Sequence, residues 1–399
     1  MSLIEWRRIP DELFFQEGPG VRKNQYTNEG IKLLNVSNLV EGKVDLSTSD
    51  RFISHEEAYG KYKHFLCDEG DLIIASSGIK VEYFDKKMGF ITREMLPLCM
   101  NTSTIRFKVK NEKSLDIRYF MYYLKSSDFK QQLNRQITGS AQLNFGPSHL
   151  DKMLFPICNL NEQKRIVKTL DAVNDLLEAY QKELDRYDEL VKARFVEMFG
   201  DPVSNPLKWT KKSLKDVCIK LNDGTHFSPE SFETGEYRYV TAKNIKRSGF
   251  DFTNITYVSE KVHRPIYERC NPEKGDVLYI KDGVTTGIAM VNTLEDEFTL
   301  LSSVALLKQD RKIMNGYFLA SLLNDKNMYS DIRGNMGGAA ITRLTIAKLN
   351  TIKVIVPPIE LQNQFAEFVI EVDKLKVAIQ AALDKTQLLF DSLMQEYFG

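Results

Sequence analysis

Residues 166–191 read IVKTLDAVNDLLEAYQKELDRYDELV. Apolar or aromatic side chains fall at Ile166, Leu170, Val173, Leu177, Tyr180, Leu184, Tyr187 and Val191, at intervals that alternate four and three. That alternation is the seam of a left-handed coiled coil. No Gly or Pro interrupts residues 162–198, and Gly200-Asp201-Pro202 gives the helix its stop. A lone heptad helix has to cover its seam with something. The chain supplies a second one, with Phe365, Val369, Val372, Ile379, Leu383, Phe390 and Leu393 in the same spacing. Lys376 and Thr386 interrupt that seam, and polar seam residues set register and partner at some cost in stability. Pro357-Pro358 leads into this second helix. The economical arrangement is a long antiparallel pair. At 1.5 Å per residue each helix spans roughly 50 Å, the length of about 15 base pairs of duplex.

The two helices are the ends of a longer repeat. Residues 139–200 align without a gap with residues 338–399. Gly139 and Ala141 meet Gly338 and Ala340, Leu150 meets Leu349, Gln163 meets Gln362, and Phe199-Gly200 meets Phe398-Gly399. Upstream the match continues with small gaps: Glu69-Gly70-Asp71 resembles Lys274-Gly275-Asp276, and Ser77-Gly78 sits where Asp282-Gly283 does. Trp6 and Trp209, the two tryptophans, open the two halves. One copy is close to half the chain, so this is a duplicated unit and not a solenoid of short repeats.

The upstream parts read as mixed α/β modules. Asp71 to Ala75 and Thr104 to Val109 suit strands in the first, followed by a helix over Leu115 to Leu133 with Tyr119, Phe120, Tyr123 and Leu124 on its core face. The second repeats the plan with strands at Asp276 to Ile280 and Ser303 to Leu307 and a helix over Tyr317 to Tyr329. The expected fold class is therefore α+β: two mixed α/β modules separated by two long helices that form an antiparallel coiled coil, with an internal pseudo-twofold repeat. The boundaries are 1–158, 159–200, 201–357 and 358–399.

Composition narrows the function. A chain of 399 residues with 43% hydrophobic residues fits a soluble globular protein of about two to three domains. No apolar run approaches the roughly 20 residues that span a bilayer. Met1 to Arg8 has no apolar stretch typical of a signal peptide. Five cysteines are scattered with no CxxC pair, which disfavours a zinc site and a disulfide framework and suits a reducing cytoplasm. Lys and Arg number 54, as do Asp and Glu, so the net charge is zero. The charge is nonetheless segregated: Arg238, Lys243, Lys246 and Arg247 form an acid-free stretch, whereas Glu178, Glu183, Asp185, Asp188 and Glu189 crowd one helix.

The constellations of enzymes are missing. The sequence holds no phosphate loop, no dinucleotide fingerprint and no HExxH. The turn Asp223-Gly224-Thr225-His226 has no serine elbow or second base near it in sequence, and Asn271-Pro272-Glu273 lacks the aromatic and second proline of an adenine methyltransferase tetrapeptide. What does recur is polar, glycine-containing loops after equivalent strands: Ser76 to Lys80 with Gly139 to Asn144, and Lys281 to Gly287 with Gly337 to Arg343. Asn and Gln pair with adenine, Arg and Lys with guanine, and hydroxyls suit phosphate oxygens.

At these residues the chain resembles the specificity subunit of a type I restriction-modification enzyme. The marks are Gly18-Pro19-Gly20-Val21-Arg22, the Asp223 to His226 turn, the paired Gly-Asp strands, and GSAQLNF (Gly139 to Phe145) running into Asn161-Glu162-Gln163 and the long helix. The resemblance implies two target-recognition domains, each reading half of a bipartite, asymmetric site on double-stranded DNA. It implies that the helices act as the spacer and dock two modification subunits, which restriction subunits join. S-adenosylmethionine, ATP and Mg2+ are expected on those partners and no cofactor or metal on this chain, which would perform no catalysis, work in the cytoplasm and have no membrane contact. Carried onto matching loops, the DNA-contacting residues would be Arg22, Asn38, Ser77, Lys80, Gln142 and Asn144 in the first module. In the second they would be His226, Lys243, Asn244, Lys281, Thr285 and Arg343. The alternative reading is a coiled-coil scaffold that does not read DNA.

Overall fold

The computed structural model describes residues 5–136, 143–334 and 343–399. They form two compact units, residues 1–179 with 382–399, and residues 180–381.

Each unit is built on the same two sheets. In the first, a four-stranded sheet runs in the order Leu13–Glu17, Thr104–Val109, Leu72–Ala75, Met88–Phe90. In the second the order is Cys218–Asp223, Val304–Gln309, Val277–Ile280, Ala289–Val291. The strands Leu72–Ala75 and Val277–Ile280 are buried along their whole length, as continuous apolar runs covered on both faces should be. A three-stranded sheet accompanies each: Leu98–Met100 lies parallel to Ile31–Leu34, which pairs antiparallel with Phe52–Ile53. Its counterpart pairs Phe298–Leu300, Tyr237–Val240 and Thr256–Val258 in the same senses. The modules have diverged in sequence and kept their topology.

The Gly-Asp pairs open the central strands for a local reason. Gly70 (φ +83°) and Gly275 (φ +92°) take the left-handed conformation that favours glycine. The next residue turns its carboxylate back: Asp71 Oδ2 accepts the Asp68 amide at 2.9 Å, and Asp276 Oδ2 accepts the Glu273 amide at 2.9 Å. Burial pushes both carboxyls above the usual range, partly offset by Lys108 and Arg106 at Asp71 and by Lys308 at Asp276.

The single helix expected after the sheet is two helices in each unit. Ile117–Lys125 is followed by Ser127–Gln136, and Gly316–Asn324 by Lys326–Gly334. The break comes from a cap. Ser126 and Asp325 are extended (ψ 157° and 139°), and their side chains accept the Phe129 amide (3.2 Å) and the Asn327 and Met328 amides (2.9 and 3.0 Å). Tyr119, Phe120, Tyr123 and Leu124 are core, as their spacing required.

The long helices run over Leu160–Phe199 and Ile359–Phe398, 40 residues each. The seam residues lie on covered faces: Ile166, Leu170, Val173, Leu184, Phe365, Val369 and Val372 are buried, and Leu177, Tyr180, Tyr187, Ile379, Leu383 and Phe390 are half-buried. In the first unit the start of one helix packs with the end of the other, so that Ile166, Val167 and Leu170 share a core with Met394 and Phe398. In the second unit the roles reverse, and Phe195 and Phe199 share a core with Phe365 and Val369. Pairing start with end is antiparallel in both. Phe398 stacks obliquely on Tyr119 (5.1 Å between centroids), and Phe199 meets Phe318 edge-on (4.7 Å). The interrupting Lys376 pairs with Asp188 of the first helix at 2.5 Å, and Thr386 Oγ1 donates to the Ala382 carbonyl at 2.8 Å. Among the described residues no helix is long and apolar enough to cross a membrane.

Candidate nucleic-acid interface

In both units the first strand of the large sheet ends on an acid followed by a glycine that nothing larger could replace. A Cβ on Gly18 would lie 2.0 Å from the Asn101 carbonyl oxygen, and one on Gly224 would lie 1.8 Å from that of Leu300. This close approach draws the following loop across the end of the sheet, where Gly18 N donates to Thr104 O (2.8 Å) and Thr225 N to Leu300 O (2.8 Å).

In the first unit Asn101 organises the loop. Its Oδ1 accepts the Val21 amide (3.2 Å) and its Nδ2 donates to Asn35 Oδ1 (2.9 Å). Arg22 is left exposed at the loop's end. Beside it the short strand Ser77–Ile79 pairs with Leu143–Asn144, which sets Asn144 opposite Ser77. Ser77 Oγ donates to Ser103 Oγ (2.7 Å), and Ser76 Oγ reaches Glu17 Oε1 (3.4 Å). Ile79 is buried and holds the loop down, while Gly78 and Lys80 on either side face outward.

The second unit places charge where the first has hydroxyls. Lys281 stands where Ser76 does and is 2% exposed. Its Nζ lies 3.3 Å from Asp223 Oδ2 and 3.0 Å from Asp282 Oδ2. Asp223 also receives His226 Nε2 at 3.1 Å and has the Arg269 guanidinium 3.8 Å away. Arg343 Nε sits 3.3 Å from Asp282 Oδ1 as an ion pair without hydrogen-bond alignment, and the Leu344 amide donates to the Lys281 carbonyl (2.8 Å). Ser303 ties in the neighbouring turn: its Oγ accepts the Ala242 amide (3.2 Å) and its carbonyl accepts the Lys281 amide (2.9 Å). His226, Lys243, Thr285 and Arg343 are the exposed side chains of this cluster.

Three of the expected contact residues are structural. Asn38 and Asn244 are buried and do the same work in each unit. Asn38 Oδ1 accepts the Asn35 amide (2.9 Å) and its Nδ2 donates to Asp45 O (3.0 Å). Asn244 Oδ1 accepts the Thr241 amide (3.0 Å) and its Nδ2 donates to Asp251 O (3.1 Å). Both close their own loop, as Asn side chains do in turns, and neither reaches solvent. Lys281 is locked between two carboxylates and is likewise removed from the surface. Gln142 lies outside the described residues.

Sequence reading also passed over residues that belong here. Glu17, Asn101, Ser103 and Ser303 assemble the loops, but Glu17 ends a strand while the other three sit in the turns before Thr104–Val109 and Val304–Gln309, and they share no local pattern. Tyr329, Arg247 and Arg333 form a second group. The Arg333 and Arg247 guanidiniums lie 5.3 and 5.9 Å from the Tyr329 ring centroid, and the ring rests against Gly287, where a Cβ would approach it to 2.4 Å. The acid-free stretch ending at Arg247 was the one available signal for this group.

Among the described residues no group of His, Cys, Asp and Glu could hold a metal ion. Exposed guanidinium, imidazole, amide and hydroxyl groups at the end of a sheet are of the kinds that can pair with base edges and phosphates.

Comparison with known proteins agrees with the repeat. The family model for the type I restriction modification DNA specificity domain matches residues 12–186 and again residues 206–386. The type I restriction enzyme MjaVIII specificity subunit of Methanocaldococcus jannaschii is 25% identical over 189 residues, which are 46% of this chain and 43% of that protein, so the match spans less than half of either. A second protein of that organism, the putative type I restriction enzyme MjaX specificity subunit, is 20% identical over 391 residues, 93% of this chain and 87% of that one. Among solved structures, the S subunit of a type I restriction-modification system from M. genitalium superposes with a TM-score of 0.58 at 18% identity, covering 100% of this chain and 96% of that one. A chain from a study of type I R-M complex assembly and conformational transition gives a TM-score of 0.52 at 17% identity, covering 98% and 97%. These likenesses speak for the fold.

Proposed function

Because the chain belongs to the type I restriction modification DNA specificity family, we propose that each of its modules reads one half of a bipartite, asymmetric site on double-stranded DNA. The observation that carries this reading is a conserved frame with different contents. Both units hold the same loops at the same end of the same sheet, one furnished with Ser77, Lys80, Asn144 and Arg22, the other with His226, Lys243, Thr285 and Arg343. Equal scaffolds with unequal side chains suit two unequal half-sites.

In this reading the chain supplies recognition and no chemistry. Two modification subunits carrying S-adenosylmethionine methylate adenine, and restriction subunits using ATP and Mg2+ join them. The long helices are the docking surface. Their outer faces carry exposed leucines at repeated positions: Leu176 (48%) corresponds to Leu375 (50%), and Leu190 (46%) to Leu389 (50%). Two copies of one apolar pattern suit two copies of one partner. The neutral net charge leaves much of the non-specific phosphate affinity to those partners.

The test is co-expression with the cognate modification subunit, followed by mapping of methylated adenine across the genome. A bipartite motif modified on both strands is expected. Exchanging the second module for a diverged homologous one should alter one half-site and leave the other. A partner that binds while no motif appears would favour the scaffold reading instead.

A further inference from the structure

The loop 281–288 joins the antiparallel strands Val277–Ile280 and Ala289–Val291 and carries Val284 at its tip. Val284 is 95% exposed, more than any other large apolar side chain among the described residues. A lone apolar residue at a surface is ordinary. Its setting is not. The loop is pinned at its base, where Gly287 N donates to Ile280 O and Ile280 N to Ile288 O (both 2.8 Å). It is pinned within, where Thr286 donates to the Gly283 carbonyl from its amide (3.2 Å) and its hydroxyl (2.7 Å). Gly283 (φ +105°) and Gly287 (φ +106°) bracket the tip. The chain thus holds a valine out in water on a hydrogen-bonded loop.

Three guanidiniums from separate segments lie near the two ends of that loop. Arg333 and Arg247 lie on the Tyr329 ring that rests against Gly287, and Arg343 pairs with Asp282 at the loop's start. The first module differs at the matching position: Ile79 is 7% exposed and points inward.

We propose that Val284 reads a thymine by its C5-methyl group in the major groove, with Arg247, Arg333 and Arg343 set toward the flanking phosphates. The proposal rests on the DNA-reading function above. The tip of a narrow loop projecting from a sheet can enter the major groove, where the methyl is the one apolar feature of the base edges. A wedge that unstacks base pairs from the minor groove uses longer or flatter side chains than valine.

The test uses the complex with its modification subunit and a duplex bearing the mapped site. Deoxyuridine replaces each thymidine in turn, which removes only the methyl. At one position, in one half-site, binding by the wild-type complex is expected to weaken about fourfold, the effect of one buried methyl-sized group. The V284A complex should bind the parent site with that same loss and be indifferent to the deoxyuridine there, while its thermal unfolding is unchanged. The proposal is overturned if no thymine position responds, or if V284A keeps the full response. It is also overturned if V284A impairs subunit assembly with DNA affinity per assembled complex unchanged, which would make Val284 a protein contact. Failure of the wild-type complex to methylate any defined site would instead overturn the DNA-reading function itself.

Discussion

Gln163 and Gln362, near the heads of the two long helices, make the same three hydrogen bonds. Gln163 Oε1 accepts the Asp116 amide (2.9 Å), and its Nε2 donates to Ser114 O (2.9 Å) and Cys158 O (2.8 Å). Gln362 Oε1 accepts the Asn315 amide (2.9 Å), and its Nε2 donates to Ile313 O (3.1 Å) and Pro357 O (2.8 Å). Both glutamines are fully buried. Each locks the head of its helix to the cap of the helix at Ile117 or Gly316. Truncating either to Ala strands buried backbone groups and should destabilise its own unit by about 1–3 kcal/mol. Hydrogen exchange of each variant, resolved by segment, checks this: the loss should stay in the unit that carries the change.

The buried and exposed polar residues of the loops should separate into two classes of phenotype. N38A and N244A remove loop closures and should cost about 1–2 kcal/mol in urea unfolding. K281A takes from buried Asp223 and half-buried Asp282 the cation they share, leaving them the more exposed Arg269 and Arg343, and should cost about 3 kcal/mol. K243A, T285A and R343A should unfold like wild type and weaken binding of DNA by the assembled complex. A stable K281A with relaxed specificity would return Lys281 to the reading surface.

His263 makes the second unit sensitive to acid. Its ring is fully buried, stacked on Tyr237 at 3.9 Å, with Nδ1 2.9 Å from Thr299 Oγ1 and Nε2 3.2 Å from Glu297 Oε2. Tyr267, Arg264 and Glu260 also face it. Burial lowers its pKa below the usual value, against the opposing pull of Glu297. A lowered folded pKa means that the unfolded chain takes up the proton first. The stability involved is therefore present above about pH 6.5 and is lost as the pH falls below it. Thermal scans between pH 7.5 and 5 should show this slope, and H263Q should flatten it while lowering stability throughout.

Cys67, Cys99 and Cys270 should be inert in the folded chain. Burial pushes the Cys99 and Cys270 thiols up to about 12, and Cys67 in the same direction. Thiolate is then scarce at neutral pH. A maleimide should leave these three unmodified in native protein and label them in denaturant. By the same sign, raised folded pKa values stabilise the fold below about pH 8.5 and cease to do so as the pH climbs toward 12. Rapid native labelling of Cys99 or Cys270 would contradict the burial described.

The seam positions were legible because one periodic face repeats along each helix, and the central strands because they are short apolar runs between turn residues. The break at Ser126 and Asp325 was not, although both residues are cap formers; the apolar positions run on through the break and mask it. The gap-free register was visible only from residue 139 onward. The shared bonds of Gln163 and Gln362 carry it back to Ser114 and Ile313, since Asp116 and Asn315 keep one cap role with different side chains. At the candidate interface, composition picked out loops that the structure sets at the end of each large sheet, and named among their residues three that the structure buries. Asn38 and Asn244 look like base readers until their partners are known. The Tyr329 group joins residues some eighty positions apart in sequence, Arg247 and Tyr329, and no local pattern announces it.

The end of each long helix completes the core of the other half: Phe398 beneath Tyr119, Phe199 beneath Phe318. A chain severed near Gly200 would yield two fragments, each holding part of two cores and the whole of neither. Such a fragment could recover its missing helix end only from a second molecule, so its folding would become concentration-dependent. In the intact chain the same closure is unimolecular, at the effective concentration its own connection sets. Joining the two copies in tandem has thus turned what would be an association equilibrium into a fixed one-to-one stoichiometry, in which two different modules are always paired with each other and never with themselves.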